Sequence, residues 1–416
     1  MGEGRAFPHS VYPTVSDTSE SPLPPAAHRE LPVAARERAR YATMVLFFFA
    51  GMVYASWGIH VPTVRDKFHL DAAWLSVALF SLTGGSIATM VVNGAWIARV
   101  GTRRACVAGG LLMSACTALI LVVPSYWLLL PVLALFGAGM ATLDVAINAE
   151  ASAVETALGR PIMSSLHGMF SIGGMAGAAG GGALLLAGMA PALHLALAAL
   201  AGAAMLLAAS PWTLPHVALQ DHPQTKHSRG NRWRTPALWA LGIVALIALV
   251  AEGAMYDWAT VYMRDVVGAT PASASAGYAA FSGAMAAGRF AGDAVRARFG
   301  AVQLVLVSAS VACAGMIGAL VLPFTVTALA GFALMGLGLA NMMPVLFAAA
   351  MRVKGIHSAE GLAHVAGIAY VGLLVGPVLI GGVAQATNLS IGLAVVAVCA
   401  ALVALIGPKV LKRLGI

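Results

Sequence analysis

From residue 41 onward the chain alternates long apolar runs with short polar or basic breaks. About 20 consecutive apolar residues carry a helix across the hydrocarbon of a bilayer. Twelve windows of this kind are legible, near 42–63, 74–97, 105–124, 127–148, 162–189, 192–210, 237–261, 271–292, 301–322, 325–350, 361–386 and 389–407. The fifth, tenth and eleventh are long enough to tilt. The pattern predicts an all-α membrane protein with twelve transmembrane helices in two six-helix pseudo-symmetric bundles, residues 41–210 and 237–407. A cytoplasmic linker at 211–236 joins them, and a basic cytoplasmic tail at 408–416 follows. Residues 1–40 break the pattern. Rich in Pro, Ser and charge, with Pro22, Pro24 and Pro25 close together, they read as a disordered cytoplasmic tail. No cleaved signal is expected, because the first apolar run begins after Arg40 and is already of spanning length.

Composition agrees with this reading. Sixty per cent of the 416 residues are hydrophobic and ten per cent charged, against roughly 25% charged in soluble domains. Such a chain cannot clothe itself in water-compatible surface. The four cysteines all fall within predicted spans, without disulfide or metal-ligand spacing, and read as small packing residues. The net charge of +8 would suit a nucleic acid, but its distribution argues for topology instead. Arg29, Arg36, Arg38 and Arg40 precede the first span, and Arg99, Arg103 and Arg104 follow the second. Arg160, the 226–234 cluster, Arg296 with Arg298, Arg352 with Lys354, and the C-terminal Lys409, Lys412 and Arg413 continue the alternation. The opposite loops carry only Arg65, Lys67 and Arg264. By the positive-inside rule both termini are cytoplasmic, in a bacterial inner membrane.

The two halves repeat each other at a constant offset of 199 residues. Arg65-Asp66 falls on Arg264-Asp265, Gly101 on Gly300, and Gly168, Gly173, Gly177 and Gly182 fall on Gly367, Gly372, Gly376 and Gly381. Six spans separate the copies, so both run in the same sense across the bilayer. The glycines read first as close-packing positions and second as a surface on which rocking halves slide.

The segment Gly94-Ala95-Trp96-Ile97-Ala98-Arg99-Val100-Gly101-Thr102-Arg103-Arg104 resembles the signature loop between helices two and three of the major facilitator superfamily. Ala98 stands where that signature has an Asp, so the charge latch of the loop is altered. The stretches Asp144-Val145-Ala146-Ile147-Asn148, Gly159-Arg160-Pro161, Ser164-Ser165-Leu166-His167-Gly168, Glu252-Gly253, Asp257-Trp258 and Gly338-Leu339-Ala340-Asn341 are similar to a rhizopine-transport-like subgroup. Fucose-proton symporters resemble the chain more distantly. The resemblance covers residues 41–407 and implies alternating access between two bundles. Exporters of the superfamily often carry a Gly-Pro-rich motif in span five. Here Ala178 follows Gly177, and Gly376-Pro377 lies in span eleven instead, which favours uptake.

A charge at mid-bilayer costs at least about 2.5–3.5 kcal/mol, so each one present needs a partner or a purpose. Glu252 is the deepest acid, three residues from the middle of span seven, or about 4.5 Å along the helix. Together with Asp257 and Asp144 it is a candidate for proton coupling, since a carboxyl held out of water can bind and release a proton as its exposure changes. A plain hydrogen-bonded acid is the rival reading. Tyr54, Trp57, Tyr256, Asn148 and Asn341 are candidates for substrate binding: the rings can stack on a cyclic ligand or anchor at the interface, and Asn341 lies in a stretch broken by Pro344. Arg99, Arg103, Arg104, Arg289, Asp293 and His167 are gating candidates. Arg289 and Asp293, four apart, are expected to pair along one helix.

Three membrane acids against one arginine favour a neutral or cationic substrate. The expected function is secondary active transport of a small polar molecule, sugar-like or amine-bearing, by proton-coupled uptake. Proton-driven export of amphipathic compounds, a passive channel, and a non-transporting sensor or scaffold are the alternatives. The expected partners are substrate, protons and lipid, with no nucleic acid, cofactor or metal. The chain is expected to act as a monomer, and it shows no nucleophile-base or metal spacing of an enzyme.

Overall fold

Residues 31–214 and 233–415 are described by the computed structural model. Their helices are α1 (Val33–Ile59), α2 (Val61–Lys67), α3 (Ala72–Val100), α4 (Thr102–Leu119), α5 (Tyr126–Leu158), α6 (Met163–Leu186) and α7 (Pro191–Ala209) in the first half. The second half holds α8 (Pro236–Asp265), α9 (Pro271–Val321), α10 (Thr325–Leu339), α11 (Met342–Ala350), α12 (Ser358–Ala386) and α13 (Leu389–Arg413). No strand occurs among the described residues. Among the described residues ten segments are long and apolar enough to cross a membrane, with α1 and α2 forming one and α10 and α11 another. The other two predicted windows, 105–124 and 271–292, fall largely on α4 and the first part of α9, where polar and small residues dilute the apolar content.

The repeat is visible in the backbone. Gly101, between α3 and α4, has φ 84° and ψ 157°, and its mate Gly300 breaks α9 with φ 72° and ψ 168°. This region is closed to L side chains, so glycine is what lets the chain turn at the same point of each half.

The ends of the bundle differ from the sequence reading. Helix α1 begins at Val33 rather than near residue 41, with Pro32 at its N-cap. Its charged first turns are held rather than loose. Arg36 Nη1 donates to Ala157 O at 2.7 Å, and Glu37 accepts from Arg40 at 3.2 Å and from Arg160 at 2.7 Å. The disordered tail expected over residues 33–40 is therefore helix, because its charges find partners at the polar edge of the bundle; residues 1–30 lie outside the described residues. At the other terminus α13 runs on through Arg413, so most of the expected 408–416 tail is helical, with Lys412 and Arg413 in its last turn where the helix dipole favours cations. Residues 215–232 of the expected linker, including Lys226, Arg229 and Arg232, also lie outside the described residues.

Helices α1, α3, α4, α5, α6 and α7 pack on one another, as do α8 to α13. The halves meet along two seams, α6 against the first part of α9 and α3 against α12. The start of α1, the end of α13 and the Gly101 and Gly300 turns share one face of the bundle, called here the terminal face.

A buried acid braces that face. Glu150 on α5 is fully buried and accepts from Thr102 Oγ1 at 2.9 Å and from Leu214 N at 2.5 Å. Arg103 holds the neighbouring Thr213 by Oγ1 at 3.0 Å and by its carbonyl at 2.6 Å. Together they pin the chain leaving α7 to the start of α4. A buried polar group stripped of its partner costs about 1–3 kcal/mol. Glu150→Ala is expected to destabilise the protein by that order, seen as a lower thermal midpoint in detergent; an unchanged midpoint would show the brace to be idle.

Candidate functional site

At mid-depth, helices α1, α3, α5 and α6 of the first half face α8, α9 and α12 of the second across a cavity of about 240 Å³. Seven of the residues singled out from sequence line it: Tyr54, Asp144, His167, Glu252, Tyr256, Asp257 and Arg289. They come from five helices of both halves and share one lining.

Glu252 and Arg289 form its charged floor. Arg289 Nη2 donates to Glu252 Oε1 at 3.2 Å, and Nη1 donates to Ser171 Oγ at 2.8 Å and to the His167 carbonyl at 3.3 Å. One guanidinium thus joins α8 of its own half to α6 of the other. The pairing expected along the helix with Asp293 is a separate contact from these cross-helix bonds. A buried guanidinium has five donors and needs acceptors from more than one direction. The Asp293 side chain lies outside the described residues.

Asp257, 8% exposed, makes no hydrogen bond or ion pair among the described residues, and its carboxylate borders the cavity. Asp144 accepts from Asn148 Nδ2 at 3.0 Å, which also donates to the Asp144 carbonyl at 2.9 Å. Tyr54 and Tyr256 meet edge-on across the two halves, centroids 5.9 Å apart, and Tyr256 Oη donates to Met285 Sδ at 3.4 Å. Phe47 stands edge-on to the His167 ring at 5.1 Å.

Three substrate candidates lie elsewhere. Trp57 is 1% exposed, belongs to the packed core and does not line the cavity, which Tyr54, one turn earlier, borders. Asn148 stands behind Asp144 and serves it rather than the cavity. Asn341 does lie at a break, between α10 and α11, but its Nδ2 donates to the Gly288 carbonyl at 3.0 Å and it borders a separate cleft beside α9. Of the gating arginines, Arg103 clamps Thr213 within its own half, while Arg99 and Arg104 are exposed at the terminal face. The sequence reading missed Ser171 and Tyr370. Ser171 stands one turn beyond His167, and Tyr370 is a lone hydroxyl ring between Gly367 and Gly372, a signal that was available.

Beyond the cavity, the face opposite the termini is shut. Arg65 bonds Asp265 across the halves, and Arg264 bonds Asp66 at 2.6 Å, its own neighbour Asp265 at 2.9 Å and the Pro62 carbonyl at 3.0 Å. The two repeat-related Arg-Asp dipeptides therefore exchange partners. Just inside, both seams close by the same device: a Cβ on Gly182 would overlap Ser275 Oγ, and one on Gly381 would overlap Ser76 Oγ. Glycines 182 and 381 are repeat mates, as are serines 76 and 275. Nearer the terminal face the seams differ. Gly168 lies against the Phe290 ring, whereas its mate Gly367 borders open space.

The chain matches the family model described as Major Facilitator Superfamily over residues 11–154 and 43–359. It is 33% identical over 361 residues to an uncharacterized MFS-type transporter of Yersinia pestis, covering 86% of this chain and 91% of that protein. Membrane protein MosC of Rhizobium meliloti is 33% identical over 344 residues, covering 82% and 83%. Among solved structures, a bacterial homolog of the human lysosomal transporter Spinster, inward-facing and unoccupied, superposes with a TM-score of 0.70 at 14% identity over 92% of this chain and 98% of that one. The E. coli fucose:proton symporter FucP superposes at 0.62 and 16% identity over 89% and 98%. At such identities the structures share the fold.

Proposed function

Because the chain belongs to the major facilitator superfamily, we propose that it is a proton-coupled secondary transporter taking up a small neutral or cationic polar molecule by alternating access. The observation that carries this reading is Arg289, which holds Glu252 on its own half and Ser171 on the other. Protonating Glu252 removes the charge that positions the guanidinium, so proton binding and the contact between halves act on one group. FucP, a fucose:proton symporter of the same fold, supports proton coupling here.

Substrate class follows from charge. The cavity wall carries three acids against one arginine, which repels anions and accommodates hydroxyl or amine donors. Asp257 has an acceptor to offer, and Tyr54 and Tyr256 supply ring edges and faces beside it. By the positive-inside rule the basic loops support a cytoplasmic terminal face, and in that orientation the Arg-Asp seal faces outward and the arrangement is closed to the outside.

A thermal-shift screen of the purified protein with sugars, inositols, amines and drugs identifies the ligand, since a molecule that binds only the folded state raises the midpoint. Counterflow in proteoliposomes then tests transport. Saturable exchange supports a carrier, and flux that never saturates would make the protein a channel. Asp257→Asn is expected to weaken an amine-bearing ligand by tenfold or more, about the 1.4 kcal/mol of one charge-assisted bond, and a purely hydroxylic one far less. Equal loss for both would remove Asp257 from the binding site.

A further inference from the structure

A second concave surface lies on the flank of the bundle, well away from the central cavity. It is a groove of about 600 Å³ between the first turns of α1 and the last turns of α7. Its walls are Tyr41, Val45, Met205, Ala208 and Trp212, and Arg38 stands at its rim. Tyr41 is 59% and Trp212 55% exposed, so the groove opens outward, toward the bilayer rather than toward another helix. From Arg38 to Val45 is seven residues, about 10 Å of descent from the membrane edge toward hydrocarbon.

The rim is charged in one sense. Arg38 lies over the Trp212 ring, 5.4 Å from its centroid, and makes no hydrogen bond or ion pair among the described residues. Arg40 lies 5.3 Å from the Tyr41 centroid. The adjacent acid, Glu37, is engaged by Arg40 and Arg160, leaving the Arg38 fork open. A guanidinium with free donors at the headgroup level, above an apolar slot that runs into the hydrocarbon, matches a molecule with a phosphate at one end and an acyl chain at the other. A zwitterionic headgroup would bring its own cation against Arg38 and Arg40, whereas an anionic one would not.

We propose that this groove is a specific site for an anionic phospholipid of the leaflet at the terminal face, its phosphate held by Arg38 against Trp212 and one acyl chain lying between α1 and α7. The ring keeps the guanidinium from swinging into water, so the site orders the lipid rather than merely attracting it.

The test uses the full chain in detergent with dioleoylphosphatidylglycerol or dioleoylphosphatidylcholine added, retained lipid being counted by native mass spectrometry. The native chain is expected to retain the glycerol lipid about fivefold more strongly, the effect of one basic residue at a membrane surface. Arg38→Ala should bring the two lipids to parity. Met205→Trp, which fills the slot and leaves the charge alone, should lose the same preference, with thermal midpoints reporting that both variants are folded. Lys354→Ala, an exposed cation of the same face, should keep it. Equal retention by the native chain, a preference surviving Arg38→Ala, or an equal loss in Lys354→Ala would overturn the site.

Discussion

Glu252→Gln is expected to abolish uphill accumulation while leaving exchange of substrate across the membrane intact. The amide keeps the size of the carboxyl and an oxygen that Arg289 can still reach at about the observed 3.2 Å. It cannot take up or release a proton. Exchange needs only that the loaded carrier turn over in both directions, and a permanently neutral group at this position permits that. Net accumulation needs the empty carrier to return with its proton released. For a one-proton symporter facing a one-unit pH gradient, accumulation would fall from about tenfold to none, because the gradient is worth about 1.4 kcal/mol per proton. Proteoliposomes loaded for counterflow and, separately, energised by a pH jump distinguish the two modes. Uphill accumulation by the Gln variant would transfer the proton-carrying role to Asp144 or Asp257.

Wedging the seal opposite the termini is the second large effect. Gly182 and Gly381 are buried, with Ser275 and Ser76 lying where a side chain would go and the Ala272 and Ala72 carbonyls 2.9 Å from the same Cβ positions. Since backbone cannot give way as a flexible side chain can, Gly381→Leu combined with Gly182→Leu must push the halves apart at that face. Overpacking costs about 1–3 kcal/mol at each position. Two such sites shift a two-state equilibrium away from the closed arrangement by tenfold or more. The reciprocal Arg-Asp bonds offset little of this, because exposed ion pairs contribute about 0.2–1 kcal/mol each. Spin labels at Leu186 and Val326, both highly exposed near that face, should report a longer separation by pulsed electron paramagnetic resonance. An unchanged distance distribution would mean that the seams absorb the leucines, and the two glycines would lose their role as the closing device.

Both experiments act on residues that stood out before any coordinates. Glu252 is conspicuous because an acid inside a run of alanines and leucines is expensive, and Gly182 and Gly381 because they fall on each other at one offset. Their partners were not legible. Spacing along one helix pointed Arg289 at Asp293, whose side chain lies outside the described residues, and said nothing of Glu252 and Ser171 on two other helices, which its guanidinium reaches. Tyr54 and Trp57 look alike in sequence, three residues apart, but one borders the cavity and the other is buried in the packed core. Asn341 stands at a break, as its stretch suggested, but a neighbouring glycine on α9 leaves room for its amide to bond the Gly288 carbonyl, and it borders a separate cleft.

The division has a physical cause. Hydrocarbon acts on the chain one residue at a time, so span positions, the alternation of basic loops and the internal repeat, Gly101 on Gly300 among its matches, were determined by the order of residues alone. Which charges meet, which rings face the centre and which face of the bundle is shut depend on how each helix is rotated and against what it is packed. Those choices lie between helices, and only the tertiary structure decided them.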